Sequence, residues 1–331
     1  AGPHGLIAHP ASETAQTWLF LAFAFAFAIK LPLFPFHTWA PAVYAESPIP
    51  VTIIIAGILS KAGAFGFLRY CLPLFPDASR HFAGFMEIMA IIGMIYAAVL
   101  ALVQTDVKRL VAYSSISHMN IIALGIFSLN ATGFDGSVLQ MVNHSVIISG
   151  LFLFVAYLVA RTGTRNLREM GGLGRRWPVF MWVFLVFVLA GLDLPGLGSF
   201  SGEFLILIGA FKFNSWYAAV AALTVILAAW YMIRLFQNTM NGPVTARPEA
   251  GSEQAEAPDR TVYQFPVLRR LLSGDLLPRE GMLLVPLLIL VFYIGIQPDG
   301  LTARMNSTTN PISSIVHHAS PPSGVVLGGS R

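Results

Sequence analysis

The chain has 331 residues, of which 56% are hydrophobic and only 11% are charged, and its mean hydropathy is +0.69. A soluble domain carries about 25% charged residues, so the composition excludes an ordinary soluble enzyme. The net charge of +4 is expected to report membrane topology rather than nucleic-acid binding, and the single cysteine excludes a disulfide framework and a cysteine-held iron–sulfur cluster.

The apolar stretches are about 20 residues long, which is the length that a helix needs to cross a bilayer. They predict an all-α polytopic membrane protein with about eight transmembrane segments. In chain order these are expected at residues 17–37, 50–71, 83–104, 108–129, 136–160, 178–212, 215–240 and 281–298. Residues 1–16 are predicted to be an extramembrane start, and residues 241–280 the one long connector. Residues 299–331, rich in Ser, Thr, Pro and Gly, are expected to be a flexible tail.

Two of these segments are predicted to be broken helices. The first contains Pro32 and Pro35, and the sixth contains Pro195 within the string DLPGLGSFSG. Proline removes a backbone donor and glycine loosens the chain, so an ordinary helix does not continue through either string. The two strings also resemble each other, because Lys30 and Asp193 each stand two residues before a proline. Paired broken helices recur in transporters built from inverted repeats.

Arginine is concentrated in alternate connectors. The connectors after residues 104, 160 and 240 contain Arg109, Arg161, Arg165, Arg168, Arg175, Arg176, Arg247, Arg260, Arg269, Arg270 and Arg279. With eight spans these connectors lie on one face of the membrane, together with the turn at residues 44–48. The positive-inside rule places that face in the cytoplasm. Within the long connector, the string YQFPVLRRLL is predicted to lie on the membrane surface as a short amphipathic piece.

Five ionisable side chains interrupt the apolar segments: Lys30, Lys61, His118, His144 and Glu203. A charge at the centre of a membrane-spanning helix costs about 2.5–3.5 kcal/mol on insertion scales. A series of such groups therefore indicates a polar path through the membrane and predicts ion or proton translocation. A metal site is not expected, because no cluster of His, Cys and carboxylate residues has the spacing of a ligand set.

Each of these residues also has a structural interpretation. Lys30 precedes a helix break, from which its ammonium could reach the membrane interface, and Lys61 could form an ion pair with a neighbouring helix. His118 and His144 could each satisfy a hydrogen bond between helices. Glu203 could cap the second half of a broken helix.

Of four further ionisable residues, three have two interpretations each, and the fourth is expected at the membrane interface. Asp193 either pairs with a neighbour or lies nearer the surface. His37 and Glu46, on the turn after the first segment, either feed protons inward or are solvated. Glu87 is expected to be an anchor at the membrane interface.

Five strings, taken in order, are similar to one family. They are KLPLFPFHTWAPAVYAESP, AGILSKAGAFGFLR, QTDVKRLVAYSSISHMN, QMVNHSVIISGLFLF and LPGLGSFSGEFLILIGAF. Together, over roughly residues 12–242, they resemble the antiporter-like membrane subunits of respiratory complex I. The Gly-Glu-Phe context of Glu203 resembles the branch called subunit M, or chain 4 in mitochondria, since other branches place a lysine there.

The resemblance implies a fold of fourteen transmembrane helices with two inverted five-helix repeats. This chain then resembles the seventh to fourteenth helices and lacks the first six. Residues 17–71 would be a two-helix remnant of the first repeat, residues 83–240 the second repeat, and residues 281–298 the final helix. In the family, one of the earlier helices carries a glutamate that pairs with the lysine equivalent to Lys30.

The resemblance also implies a function, that of a proton-translocating membrane-arm subunit of an NADH:quinone oxidoreductase in the bacterial inner (plasma) membrane. Protons would pass from the cytoplasmic turn to Lys61, across His118 and His144 to Glu203, with Lys30 as a switchable charge. The chain itself would hold no cofactor, because NADH, FMN, iron–sulfur clusters and quinone belong to partner subunits. Its partners would be the other complex I membrane subunits, especially neighbouring antiporter-like ones, and the lipid bilayer, with no nucleic acid.

Two alternatives remain open at the level of sequence. The chain could be a subunit of a related assembly, such as photosynthetic NDH, a membrane-bound hydrogenase or an Mrp-type cation/proton antiporter. It could instead be a structural membrane subunit that does not pump. The sequence also leaves open whether the transported ion is H⁺ or Na⁺.

Overall fold

A computed structural model describes residues 11–243 and 275–318 of the chain. The helices in these residues are α1 (Glu13–Lys30), α2 (Trp39–Glu46), α3 (Ile49–Leu74), α4 (Pro76–Val103), α5 (Val107–Phe127), α6 (Ala131–Thr162), α7 (Pro178–Gly191), α8 (Gly198–Phe213), α9 (Ser215–Met240), α10 (Pro278–Ile296) and α11 (Asp299–His318). The described residues contain no β-strand, and one isolated bridge pairs Asp106 with Asn166. The predicted all-α fold class is confirmed.

Six of the described helices, α3 to α6, α9 and α10, are long and apolar enough to cross a membrane. Helix α7 is a shorter apolar helix that resumes as α8 after an interruption. Large apolar side chains such as Ile58, Phe65 and Trp230 remain exposed on the outside of the bundle, where lipid is the favourable surrounding. The chain is therefore a polytopic membrane protein.

Both predicted helix breaks are present. Helix α1 ends at Lys30, and the chain continues through residues 31–38, with a cis bond between Phe34 and Pro35, before α2 begins. The second break covers residues 192–197, where Asp193 has a φ of 61° and Gly196 a φ of 91°. These left-handed conformations do not continue a right-handed helix, so the chain turns between α7 and α8.

The described parts of the arginine-rich connectors meet at one end of the bundle, which is called the basic end below. There the Arg165 guanidinium lies 2.5 Å from the Asp106 carboxylate and 3.9 Å from that of Glu46. Asp106 also caps α5, since its Oδ1 accepts the backbone N–H of Lys108 at 2.7 Å. The predicted grouping of these connectors on one face agrees with these contacts.

The other end of the bundle, called the opposite end below, is joined by different contacts. The Gln16 amide donates to Asp77 at 3.0 Å and connects the start of α1 to the start of α4. The Lys212 ammonium donates to the hydroxyl of Thr132 at 2.8 Å and connects the end of α8 to the start of α6. Helix α5 lies at the centre of the bundle, because nearly all of its residues are buried.

Two segment assignments differ from the structure. Helix α4 begins at Pro76 rather than at residue 83. Residues 299–318, assigned to a flexible tail, form α11, which buries Ile312 and Val316 and bonds Thr309 to Asp135 at 2.6 Å. The Ser- and Thr-rich composition conceals the helical spacing of these few buried residues. Residues 319–331 and the string YQFPVLRRLL lie outside the described residues.

Candidate functional site

Lys61 lies in the middle of α3, directly after a place where the helix widens. Residues Ile55–Leu59 form a π turn, whose hydrogen bonds span five residues instead of four. The buried Lys61 ammonium donates to the carbonyl oxygen of Ala56 at 2.5 Å. Ser60 Oγ lies 3.4 Å from the same ammonium. The lysine is thus held by the local shape of α3, a feature that hydrophobic periodicity does not reveal.

His144 is brought to Lys61 because α6 packs against the π turn. The hydroxyl of Ser145 donates to the carbonyl of Gly57 at 2.6 Å, and the space where a side chain at Gly57 would begin lies 3.0 Å from Ser149 Oγ. In this position Nδ1 of His144 lies 2.6 Å from Nζ of Lys61. An ammonium group has donors and no acceptor, so Nδ1 accepts from a protonated Lys61 and a neutral His144 carries its hydrogen on Nε2.

His118 follows His144 on the neighbouring helix α5. The centroids of the two rings are 5.6 Å apart. His118 is buried, and neither of its nitrogens has a hydrogen-bond partner among the described residues. The same holds for Nε2 of His144. These nitrogens are therefore available to accept or donate a proton.

Two carboxyl groups lie beside His118. One ligand-type atom from each of His118, Asp193 and Glu203 falls within 4.8 Å of the others, and all three side chains are buried. They come from α5, from the interruption after α7 and from α8. Glu203 is not the cap of α8, because Leu197 occupies that position and Glu203 lies within the helix.

The same three residues are the one set of three His, Cys, Asp or Glu side chains in the described residues that lie close enough to hold a metal ion. This set could not be predicted from spacing, since Asp193 lies 75 positions after His118 and Glu203 lies 10 positions after Asp193. A closed structural zinc site needs four protein ligands, so this set is one ligand short of it.

A small cavity of about 10 Å³ adjoins the two histidines, with room for about one water molecule. Its lining includes Ser114, His118, His144, Ser199 and Met232. The buried Tyr231 of α9 lies near Ser114 and near both carboxyl groups. The cavity therefore connects the imidazole pair with the first turn of α8.

Polar side chains of α6 fix the start of α8. The amide of Asn143 donates to the carbonyl of Gly198, and the amide of Gln140 donates to Ser199 Oγ at 2.7 Å. Gly202 allows the close approach, because a Cβ there would lie 2.6 Å from Oε1 of Gln140. Helix α6 thus orients both His144 and the segment that carries Glu203.

The order of the groups in space differs from the order predicted from the chain. The sequence suggested that Lys61 is followed by His118 and then by His144. In the structure His144 is the neighbour of Lys61, and His118 lies between His144 and the carboxyl pair. The reason is that α6, rather than α5, packs on the π turn of α3.

Three other predicted residues lie apart from this buried cluster. Lys30 is exposed at the last position of α1 and has no ion-pair partner among the described residues. His37 is buried, and its ring lies 5.2 Å from that of Tyr96. Glu46 is exposed at the basic end, 3.8 Å from the guanidinium of Arg109.

Two buried features were not found by sequence reasoning. Glu87 was assigned to the membrane interface, yet it is fully buried in α4. Arg161 was counted among the loop arginines, yet its side chain is buried and lies 2.6 Å from the Glu280 carboxylate. For Glu87, the available signal was the spacing of the apolar residues in α4, which places Glu87 among buried positions. For Arg161, it was the presence of Glu280 at the start of α10, with which Arg161 pairs.

Comparison with known proteins agrees with this arrangement. The family model described as the transmembrane region of NADH:quinone oxidoreductase and Mrp antiporter proteins matches residues 6–228. The chain belongs to this family.

Individual relatives support the assignment. NADH-ubiquinone oxidoreductase chain 4 of Marchantia polymorpha is 38% identical over 307 residues, which are 93% of this chain and 57% of that protein. NADH-quinone oxidoreductase subunit M of Mycobacterium tuberculosis is 39% identical over 92% of this chain and 51% of that protein. The chain thus spans about half the length of these relatives.

A solved structure shows the same fold. A chain in the structure of respiratory complex I from Thermus thermophilus with bound NADH superposes with a TM-score of 0.81 at 32% sequence identity. The match covers 94% of this chain and 61% of that chain. The antiporter-like resemblance drawn from the five strings is confirmed.

Proposed function

We propose that the chain is part of a proton-translocating membrane subunit of an NADH:quinone oxidoreductase of the subunit M type. The observation that carries this proposal is the 2.6 Å contact between Nζ of Lys61 and Nδ1 of His144 in the middle of the bundle. Beyond it, His118 and two carboxyl groups continue the series of protonatable groups. The names and the 38–39% identity of the relatives support the choice of assembly.

The two faces of His144 give the relay its direction. A proton leaves Nζ of Lys61 for Nδ1 of His144, while Nε2 of His144 releases its hydrogen toward the cavity and His118. An imidazole serves this step because it accepts on one nitrogen and donates from the other. Before the cycle repeats, Lys61 takes up a new proton from the basic end, and the hydrogen of His144 returns from Nδ1 to Nε2.

Asp193 and Glu203 act as one acceptor. The two carboxyl groups lie close to His118 and to each other, so either can take up a proton that arrives from His118. The pair then releases a proton toward the opposite end. Moving one charge against a membrane potential of 100 mV requires about 2.3 kcal/mol, which neighbouring charges at these distances can supply.

Lys30 is proposed as a switchable charge at the edge of the bundle. Its exposed ammonium follows the exposed apolar residues Phe25 and Ile29 of α1. Since a lysine facing lipid at this depth is costly, we expect a carboxylate of another helix to pair with it. His37 and Glu46 remain proposed proton-feeding residues near α2.

The proposal includes the assembly and its location. Partner subunits would hold NADH, FMN, the iron–sulfur clusters and quinone, and this chain would hold no redox centre. Its neighbours would be other membrane-arm subunits, above all antiporter-like ones. The basic end would face the cytoplasm of a bacterium, in accordance with the positive-inside rule.

A second candidate is a subunit of an Mrp-type cation/proton antiporter, because the matching family model includes those proteins. The relatives with 38–39% identity favour the oxidoreductase. Copurification in mild detergent distinguishes the two, since NADH:quinone oxidoreductase activity accompanies the chain in one case and sodium/proton exchange in the other.

Substitution of Lys61 tests the relay. The complex carrying Lys61→Ala is reconstituted into vesicles, and proton uptake per NADH oxidised is compared with that of the unchanged complex. Lys212→Ala is the matched control, because Lys212 is exposed at the opposite end. We expect Lys61→Ala to lower the proton-to-electron ratio and Lys212→Ala to leave it unchanged.

The outcome separates pumping from a structural role. Full pumping by a normally assembled Lys61→Ala complex would show that the relay is wrong. Poor assembly, combined with an unchanged ratio in the complexes that do form, would favour a subunit that only bridges its neighbours.

A further inference from the structure

Glu87 of α4 is a buried carboxyl group that the relay described above does not use. Its residue exposure is 0%, and neither carboxyl oxygen has a hydrogen-bond partner among the described residues. The neighbouring buried positions on α4 are apolar, including Met86, Ala90 and Ile91. An ionisable side chain kept inside a membrane protein without a structural partner indicates a functional group.

The position of Glu87 along α4 relates it to the relay. The hydroxyl of Ser117, the residue before His118, donates to the carbonyl of Met94 at 2.9 Å. Met94 therefore marks the level of His118 on α4. Glu87 lies seven residues from Met94 on nearly the same helix face, which is about 10 Å toward the opposite end.

Helix α9 also carries a buried polar group between the carboxyl pair and the opposite end. Tyr231 lies near the carboxyl pair of the relay, and α9 packs against α4. Seven residues before Tyr231, about 10 Å nearer the opposite end, is the buried hydroxyl of Thr224. Buried polar groups thus occur on both α4 and α9 between the carboxyl pair and the opposite end.

The next charged groups on α4 lie at the opposite end itself. Arg80 is seven residues from Glu87, again about 10 Å further along the helix and on nearly the same face. Its guanidinium pairs with the half-exposed Asp77 at 3.1 Å. Asp77 also accepts from Gln16 at 3.0 Å. Glu87 is therefore midway between the level of His118 and a polar surface cluster.

We propose that Glu87 is a proton-carrying residue on the exit half of the pathway, between the Asp193–Glu203 pair and the Asp77–Arg80 pair. Its carboxylate takes up a proton released by the Asp193–Glu203 pair and then passes that proton on toward Asp77. One O–H bond breaks and one forms at each transfer. Water or hydroxyl groups such as that of Thr224 must bridge the distances of about 10 Å. The proposal rests on the relay proposed above.

The test uses the assembled complex in vesicles. Glu87→Gln keeps the size and polarity of the side chain but removes the exchangeable carboxyl proton. Glu87→Asp keeps that proton, and Met86→Leu is a matched control for packing on the same helix. We expect Glu87→Gln to lower the proton-to-electron ratio as much as Lys61→Ala does. Glu87→Asp should restore most of the ratio, and Met86→Leu should not change it.

Infrared spectroscopy measures the protonation of carboxyl groups directly, and it can be applied to the complex without substitutions. The difference spectrum between NADH-reduced and oxidised complex should contain a C=O band of a protonated carboxylic acid that shifts in D₂O. That band should be absent from the Glu87→Gln complex. If the complex shows no such band, or if the Glu87→Gln complex shows the same band, Glu87 does not change its protonation during turnover. Either result would overturn the proposal.

The failure of this proposal differs from the failure of the relay. If Lys61→Ala lowers the ratio while Glu87→Gln pumps fully, Glu87 is not on the path and the relay stands. If both variants pump fully, the relay itself is wrong.

Discussion

The buried ion pair between Arg161 and Glu280 provides a quantitative test of the packing at the basic end. Arg161 is at the end of α6 and Glu280 is in the first turn of α10, with side-chain exposures of 0% and 2%. The guanidinium also donates to the backbone carbonyl of Asp275 at 2.8 Å and lies 4.7 Å from the ring centre of Phe180. Removal of either partner leaves a buried charge without its counter-charge.

The expected cost follows from the distance and the burial. At 2.6 Å and an effective dielectric constant of about 20, the attraction is about 6 kcal/mol, and desolvation of both groups offsets much of it. Breaking a buried pair by removing one partner costs about 3–5 kcal/mol. We therefore expect Glu280→Gln to reduce the free energy of unfolding by about 3 kcal/mol, since Arg161 retains its aromatic neighbours.

The double variant Arg161→Met/Glu280→Met separates pairing from packing. It leaves no unpaired charge, so it should be less destabilised than the sum of the two single Met variants. The assay is SDS-induced unfolding of the purified protein in mixed micelles, followed by circular dichroism. Arg109→Met is the control, because Arg109 pairs with Glu46 at an exposed position and should contribute less than about 1 kcal/mol. A Glu280→Gln protein as stable as Arg109→Met would refute this reasoning.

Two further predictions concern helix contacts. A Cβ at Gly63 would lie 2.7 Å from the carbonyl oxygen of Phe27 in α1 and from the backbone nitrogen of Leu31 just after it, so Gly63→Ala should destabilise the protein by about 1–3 kcal/mol in the same unfolding assay. Gly84→Ala is its control, because no atom beyond its chain neighbours and its own helix backbone lies within 4 Å of the added Cβ, and equal losses in both variants would contradict the packing argument. Asn143→Ala removes the bond to Gly198 that fixes the start of α8, and should cost about 1 kcal/mol and lower proton pumping per assembled complex. Unchanged pumping would show that this bond does not position Glu203, and Val142→Ala on the exposed face is the control.

The sequence allowed the membrane fold and the helix breaks to be predicted because both depend on local chemistry. Apolar length determines whether a helix can span a bilayer, and it located α3, α5 and α9 closely. Pro32 and Pro195 determine where a helix cannot continue. The clustering of arginine in alternate connectors likewise agrees with contacts such as that between Arg165 and Asp106.

The arrangement of the site could not be predicted in the same way, because it depends on which helices pack together. His118 precedes His144 in the chain, but α6 contacts the π turn of α3 and places His144 beside Lys61. Asp193 joins Glu203 only because the interruption after α7 turns back toward α8. Neither relation leaves a signal in the spacing of a single sequence.

Burial was the other property that the sequence concealed. Glu87 and Arg161 lie near the ends of predicted segments, where charged residues are usually interfacial, and yet both side chains are buried. Lys30 lies in an apolar string, as a buried charge would, and yet it is exposed in the described part of the chain. A charged residue in an apolar string shows that something must compensate for it, but the compensating group belongs to the tertiary structure.

The contacts at the basic end have a practical consequence for labelling the protein. Helix α9 is held at its end by the bond from the N–H of Gly172 to the carbonyl of Asn241, and α10 is held at its start by Arg161 and Glu280. The first anchor connects α9 to the segment between α6 and α7, and the second connects α10 to the last turn of α6. A bulky label at any of these four residues would release the end of a membrane-spanning helix, so labels at the basic end should be placed at other positions.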